Sequence, residues 1–324
     1  MFGRLMEASD NSTLINPVAP TYLISDYIEI AYLGLVLLFG VPANVIILKK
    51  LIAEWKTANR DMVKSGFVLL KINLNITDLL ILTYSLGKLI WLITYRWVGG
   101  DYACRFYQMF SMFSLYSSSN IVMCIALDRL RNVIYANQIH TKSSKVSLVH
   151  ILAWTSWIAA LLCSIPQYFF FQTIEVYPDF VQCTDVWQIR RHFDMEIRYF
   201  AKDSFFLTET FENLYNILHL VVKCCTEKKK KSQRRNEGKD SATSTASART
   251  PMWRKQMRSR VFRTTMLVIF THFLFWFPYN ALGGVKYISQ GLFEVLSANA
   301  NIFKDLQILI TLINPFLYGF SSGN

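Results

Sequence analysis

Charged residues are scarce in this chain: they make up 17% of its 324 positions, while 52% are hydrophobic. Ordinary globular proteins carry about 25% charged residues, so this balance excludes a typical soluble protein. It also excludes a disordered one, which would need low hydrophobicity and high charge. Glycine and proline number only 13 and 8, which rules out a collagen-like repeat. The long apolar stretches share neither spacing nor motif, and this lack of internal repeats weighs against repeat-built transporters. Met1 to Asp26 lacks an apolar run long enough for a cleavable signal peptide, so the first apolar segment is expected to direct insertion itself. Acidic residues fall short of basic ones, 22 against 34, leaving a net charge of +12. In a soluble protein that excess would suggest nucleic acid, but its position along the chain decides its meaning.

What is abundant is apolar sequence in long runs. A bilayer core of about 30 Å takes about 20 apolar residues in a helix, because every backbone amide must be satisfied internally. Six stretches reach that length: Tyr27 to Leu48, Gly66 to Thr94, Tyr102 to Leu127, Val146 to Phe171, Val261 to Tyr287, and Ile302 to Phe320 with its approach from Leu292. A seventh, Phe205 to Val222, is interrupted by Glu209, Glu212 and His219 and cut off by Lys223; parity requires it.

Lys and Arg alternate between the gaps, as they do when basic residues collect on the cytoplasmic side. The gap after segment one holds five, the one after segment three holds four, and the stretch from Lys223 to Arg260 holds 13 against three acids, Glu227, Glu237 and Asp240. The N-terminal tail holds only Arg4, and the gap after segment four offsets its basic residues with acids. The expectation is an all-α, seven-transmembrane helix bundle. It consists of an extracellular tail (1–26), helices one to five with their loops (27–222), a basic cytoplasmic loop (223–260), helices six and seven (261–320) and a short cytoplasmic end (321–324). The basic loop reads as an orientation signal and a contact for anionic lipid, at about 1 kcal/mol per residue, and not as nucleic-acid recognition. Its part from Lys228 to Thr250 is of low complexity.

Asn11-Ser12-Thr13 is a glycosylation sequon in the tail placed outside, whereas Asn75-Ile76-Thr77 falls inside the second segment, beyond a glycosyltransferase's reach. Cys104 and Cys183 both lie on the outer, oxidising side and can pair. Cys124 and Cys163 fall within segments as packing residues, and Cys224 and Cys225 form a boundary pair open to palmitoylation.

Motifs along these segments carry a resemblance to the rhodopsin-like (class A) G-protein-coupled receptors. They are Val-Pro-Ala-Asn-Val with Asn44, Asn-Leu-Asn-Ile-Thr-Asp ending at Asp78, Cys104 placed 25 residues before Arg129 in Asp128-Arg129-Leu130, and Trp157 with Pro166. Later segments add Phe275-Trp276-Phe277-Pro278-Tyr279 and Asn314-Pro315-Phe316-Leu317-Tyr318. Trp97 to Asp101, Phe113 to Ser118 and Ser164 to Phe169 look like the branch of receptors for gonadotropin-releasing hormone, adipokinetic hormone and the vasopressin/oxytocin peptides. Ser111 stands where amine receptors carry an Asp, and Ile308 where opsins carry the retinal Lys. The resemblance therefore implies a multi-pass plasma-membrane receptor for a short extracellular peptide, coupled to a heterotrimeric G protein and without chemistry of its own. No nucleophile–base pair or metal cluster occurs on either aqueous face.

The resemblance also implies roles. Asp78, Ser118 and Asn314, with Asn44 nearby, are similar to a sodium site, which suits a hard cation. Asp128, Arg129, Trp276, Pro278, Asn314, Pro315 and Tyr318 look like the activation switch and coupling elements, Pro278 by kinking helix six. Gln108, Ser111, Met112, Gln167, Tyr279, Asn280 and Lys304 sit at ligand-pocket positions. Lys88, about 15 Å outward of Asp78, either joins that pocket or snorkels to the interface. Trp91, Tyr95 and Trp97 read as an aromatic interface belt.

Departures accompany the likeness. Arg258 stands where many relatives carry the helix-six acid that locks the arginine, and His272 where they carry Phe. Segment five lacks its expected proline and tyrosine and looks shortened, and no eighth helix follows Tyr318. The expected alternative is therefore a truncated, non-signalling relative that retains ligand or dimerises; a transporter or channel would need a polar lane that only Asp78 and Lys88 approach.

Overall fold

The computed structural model describes residues 22–58, 62–134, 143–177, 179–186, 252–289, 291–292, 296 and 300–319. The expected segment five, most of the basic loop, the Asn11 sequon, Cys224, Cys225 and the end of the chain lie outside them. The described residues form α1 (Ile24–Thr57), α2 (Met62–Thr94), α3 (Gly100–Ile134), α4 (Ser143–Phe170), β1 (Phe171–Tyr177), β2 (Phe180–Asp185), α5 (Met252–Ile288) and α6 (Ala300–Gly319). Helices α1 to α4 match the first four apolar segments, and α5 and α6 match the sixth and seventh. Among the described residues, the stretches Ile24–Thr57, Ser65–Thr94, Gly100–Arg129 and Val149–Phe170 are long and apolar enough to cross a membrane.

The helices pack as a bundle. α2 lies between α1 and α3, α4 covers α3, and α6 closes against α1, α2 and α5, while α5 also meets α3. The pattern of burial is inverted relative to a soluble protein. On α4, Ile151, Trp154, Ile158, Leu162 and Ile165 are exposed at helical spacing, a face suited to lipid. The opposite face carries Ala153, Ser156, Ala160 and Ser164, all buried. Small side chains let helix backbones approach closely where lipid supplies no hydrophobic drive between helices. Ser156 uses that proximity: its Oγ lies 2.9 Å from Cys124 Sγ, and its carbonyl accepts from Asn120 Nδ2 at 3.3 Å. Cys124 is thus a packed thiol, as its position in the segment suggested. Across the bundle Trp157 Nε1 donates to Asn73 Oδ1 at 2.9 Å, fixing α4 to α2.

Several helix ends reach past the apolar runs, α1 to Thr57 and α3 to Ile134 among them. The helix corresponding to segment six begins at Met252, nine residues before Val261, so the last part of the expected basic loop is already helical. Met252 to Phe277 contains neither glycine nor proline and is rich in good helix formers, so nothing ends the helix where the apolar run ends. The outer loop after α4 forms an antiparallel hairpin with Thr173 opposite Cys183. Its turn residue Asp179 has φ of 63°, and Gly100 opens α3 at φ 77°, a conformation that costs glycine little.

A substitution on the small-residue face tests this packing. Ala160→Leu should lower the thermal midpoint of the purified protein by an amount equivalent to about 1–3 kcal/mol of overpacking. Ile158→Leu, on the lipid-exposed face, should leave it unchanged; equal effects at the two positions would contradict the assignment of faces.

Candidate functional site

The residues singled out by sequence fall into three layers along the bundle axis. The outermost is a roof. A disulfide joins Cys104, in the first turns of α3, to Cys183 of β2 with a Cα–Cα distance of 5.6 Å. Asp101 Oδ1 accepts from the Thr173 backbone N–H at 2.9 Å, while its Oδ2 accepts from Arg105 Nε at 2.6 Å. The backbone N–H of Trp97 donates to the Val181 carbonyl at 2.8 Å. Gln182 Nε2 donates to the Tyr95 carbonyl at 2.7 Å, and its Oε1 accepts from Trp91 Nε1 at 3.1 Å. Trp91 and Trp97 pack edge to face at 5.2 Å, and both reach Tyr107. Besides the interface-belt role that the sequence suggests, Trp91 thus serves the hairpin, whose Gln182 amide oxygen accepts from its indole N–H, while Trp97 Nε1 donates to the Gly100 carbonyl at 2.8 Å.

Beneath the roof, Gln108 is buried and its Nε2 lies 3.9 Å from Cys183 Sγ. Ser111 is half-buried one turn further in, and its carbonyl accepts from Ser114 Oγ at 2.7 Å. Met112 and Trp276 pack against one apolar cluster that includes Leu115 and Ile308. Gln167, Tyr279 and Lys304 are half-buried in α4, α5 and α6. Asn280 lies in α5, but its side chain is outside the described set, as is that of Tyr318 in α6.

Lys88 settles between its two readings: it turns into the bundle and does not snorkel. Its Nζ lies 2.5 Å from Asp305 Oδ1 and 2.6 Å from Glu29 Oε1, tying α2 to α6 and α1. Tyr32 Oη adds a bond to the Asp305 carbonyl at 2.8 Å. In the sequence Lys88 stands far from both partners, 59 residues after Glu29 and 217 before Asp305. The signal available was that Glu29 and Asp305 are acids inside apolar segments, each of which needs a counter-charge.

The middle layer is polar and fully enclosed. Asn314 Nδ2 donates to both carboxylate oxygens of Asp78, at 2.9 and 3.1 Å. Asn75 Nδ2 donates to Asn44 Oδ1 at 2.7 Å. Asn44 Nδ2 bonds the carbonyls of Gly40 and Thr311 at 2.8 and 2.9 Å. The Thr311 carbonyl lies four residues before Pro315, which has no N–H to offer it. Ser118 Oγ and Asn314 Oδ1 are buried, and no hydrogen-bonding group among the described residues reaches them. Carboxylate, hydroxyl and amide oxygens are the ligand types that fit a hard cation such as sodium.

At the inner end of α3, Arg129 pairs with Asp128: Nε lies 3.0 Å from Oδ2, and an η nitrogen makes a closer contact with the same oxygen. Its guanidinium also lies over the Phe67 ring of α2, 3.8 Å from the centroid. His272 stacks on Trp276 at 5.8 Å and is buried, with neither ring nitrogen bonded within the described residues.

Two measurements follow from these layers. Lys88→Met leaves Asp305 and Glu29 without their cation and should cost about 3–5 kcal/mol of stability; adding Asp305→Asn should restore part of it, and a single variant as stable as wild type would contradict the ion-pair reading. His272→Phe removes a buried polar ring whose nitrogens find no partner and should raise the thermal midpoint by an amount equivalent to about 1–3 kcal/mol; a fall would mean that the ring nitrogens are satisfied.

Comparison with known proteins agrees with this geometry. Residues 54–318 match the family model of the 7 transmembrane receptor (rhodopsin family). The chain is similar to the G-protein coupled receptor daf-38 of Caenorhabditis elegans, with 26% identity covering 98% of this chain and 94% of that protein. It resembles the cephalotocin receptor 2 of Octopus vulgaris, with 33% identity over 52% of this chain and 37% of the octopus protein. A gonadotropin-releasing hormone II receptor of Clarias gariepinus is 24% identical over 74% of this chain and 62% of its own length. The chain is a multi-pass membrane receptor, not an enzyme, and it belongs to the rhodopsin family of seven-transmembrane receptors.

Proposed function

We propose that this receptor sits in the plasma membrane, binds a short extracellular peptide beneath the hairpin roof, and transmits binding to a heterotrimeric G protein through α5. The observation that carries the reading is the contiguous line from roof to switch. Gln108 touches Cys183 in the roof, Met112 lies one helical turn further in, and Met112 shares its apolar cluster with Trp276. A ligand that displaces side chains near Gln108 thereby alters the packing of Trp276, two residues from Pro278. Ser111 supports a peptide over an amine, since no carboxylate stands there to bind a cationic amine. The relatives named for cephalotocin and gonadotropin-releasing hormone point the same way. Ser111, Gln167, Tyr279, Asn280 and Lys304 complete the proposed pocket, with Lys88 shaping it through its ion pairs.

In the same reading Asp78, Ser118 and Asn314 hold a sodium ion, which supplies positive charge to a buried carboxylate and stabilises one conformation of the bundle. Arg129, Asp128, Pro315 and Tyr318 form the inner, G-protein-facing part of the switch.

A second reading is favoured by one comparison. The alignment with the worm receptor runs over 397 residues against the 324 of this chain, so that protein carries sequence with no counterpart here. A chain shortened within the coupling region would bind ligand, or pair with a full-length receptor, without signalling.

Surface-tagged receptor challenged with a neuropeptide panel separates the two. One peptide class should release calcium or change cyclic nucleotide levels; binding without response supports the second reading, and no peptide binding at confirmed surface expression refutes the first reading and, if no full-length receptor co-precipitates with the chain, the second as well. Replacing choline chloride with sodium chloride should raise the thermal midpoint of the wild type but not of Asp78→Asn, and an equal rise in both would overturn the sodium assignment.

A further inference from the structure

The inner end of α3 presents a question that the family likeness leaves open. Many relatives hold the arginine of this motif with an acid on helix six, and here that position is Arg258. Asp128 pairs with Arg129, but the two are neighbours on one helix, so their contact ties α3 to nothing else. Among the described residues, a contact of Arg129 that reaches another helix is the one with the Phe67 ring. Phe67 is buried on α2, and Arg129 Cζ lies 3.8 Å from the ring centroid. One turn further along α2, buried Lys71 places its Nζ 4.7 Å from the same centroid. Phe67 and Lys71 line a small cleft with Ile125 of α3 and Thr264, Thr265 and Val268 of α5. The ring therefore stands where α2, α3 and the movable inner half of α5 meet, and it carries two cations.

We propose that Phe67 is a positioning residue that seats Arg129 inside the bundle by a cation–π contact, in place of the helix-six acid this chain lacks. Coupling then requires the guanidinium to leave the ring. A guanidinium over an aromatic face is attracted by the ring quadrupole, and the attraction strengthens when both partners are removed from water. Lys71 opposes the seat, because a second positive charge at the same ring repels the guanidinium. Phe67 and Lys71 thus act in opposite directions on one equilibrium, the position of Arg129.

This inference rests on the reading of Arg129 as the G-protein contact, and the test separates the two. Full-length receptor in lipid nanodiscs, without agonist, is assayed for nucleotide exchange on a panel of purified heterotrimers. Hydrogen exchange in the inner turns of α3 is measured in parallel without any G protein. Phe67→Leu should raise basal exchange per folded receptor by about five- to thirty-fold, the change expected for losing a desolvated contact of this kind, and should speed hydrogen exchange in α3. Phe67→Tyr, which keeps the ring face, should behave as wild type, and Lys71→Met should lower basal exchange and slow hydrogen exchange. Wild-type behaviour of Phe67→Leu in both measurements, or a change of the same sign in Phe67→Leu and Lys71→Met, overturns the proposal. If no form, wild type included, exchanges nucleotide on any heterotrimer, the coupling reading fails and hydrogen exchange alone decides the seat.

Discussion

A proline in α6 leaves one carbonyl without its helical donor, and the bundle is joined around that carbonyl. Pro315 cannot bond Thr311, and in a membrane no water is at hand to do so. The donor comes from another helix, as Asn44 of α1 reaches the Thr311 carbonyl. Asn44 is held in turn by Asn75 of α2, and Asn314, next to the proline, holds Asp78 of the same helix. Three helices thus supply amide donors to one another's buried carbonyl, amide and carboxylate oxygens, which would be costly to leave bare. Gly40, one turn before Asn44, makes the approach possible: a Cβ there would lie 3.0 Å from Leu82 and 3.3 Å from Leu312.

The rest of the structure follows from the same requirement that polar groups be paired and apolar ones meet lipid. α4 turns its aliphatic side outward and its small residues inward, which brings Ser156 and Cys124 together. Outside the bilayer the constraint relaxes, and residues 171–185, directly after α4, fold as a hairpin held by a disulfide and by Asp101. Linking residues 79 apart in sequence removes much of the freedom that loop would have in the unfolded chain.

Sequence patterns revealed the helices, their order and the polar residues within them, because about 20 apolar residues in a row have few other uses. Asp78, Asn44 and Asn314 were legible as a group through motif likeness. The bonds that unite them were not, since which carbonyl Asn44 serves depends on where α6 lies against α1. The partners of Lys88 were hidden for the same reason: Glu29 and Asp305 are 276 residues apart along the chain, and no spacing rule joins them. The hairpin contacts of Trp91 and Trp97 were hidden because an aromatic near the end of an apolar run reads as an interface belt until a hairpin is placed above it. The helix over Met252 to Arg260 was hidden in the opposite way. Charge there marks the edge of the membrane, and a helix without a breaker passes through that edge unchanged.

The ion pairs of Lys88 and the amide contacts of Asn44 join the same three helices at two heights, Lys88 and Asn75 lying about 20 Å apart along α2. A single joint would let α1, α2 and α6 pivot about it; two joints on different levels remove that pivot and make the trio one rigid wall. Displacement within the bundle then falls to the helices outside the wall. A ligand that pushes on the outer end of this trio is pressing on an anvil, and the movement it causes has to emerge in α3, α5 or what lies between them.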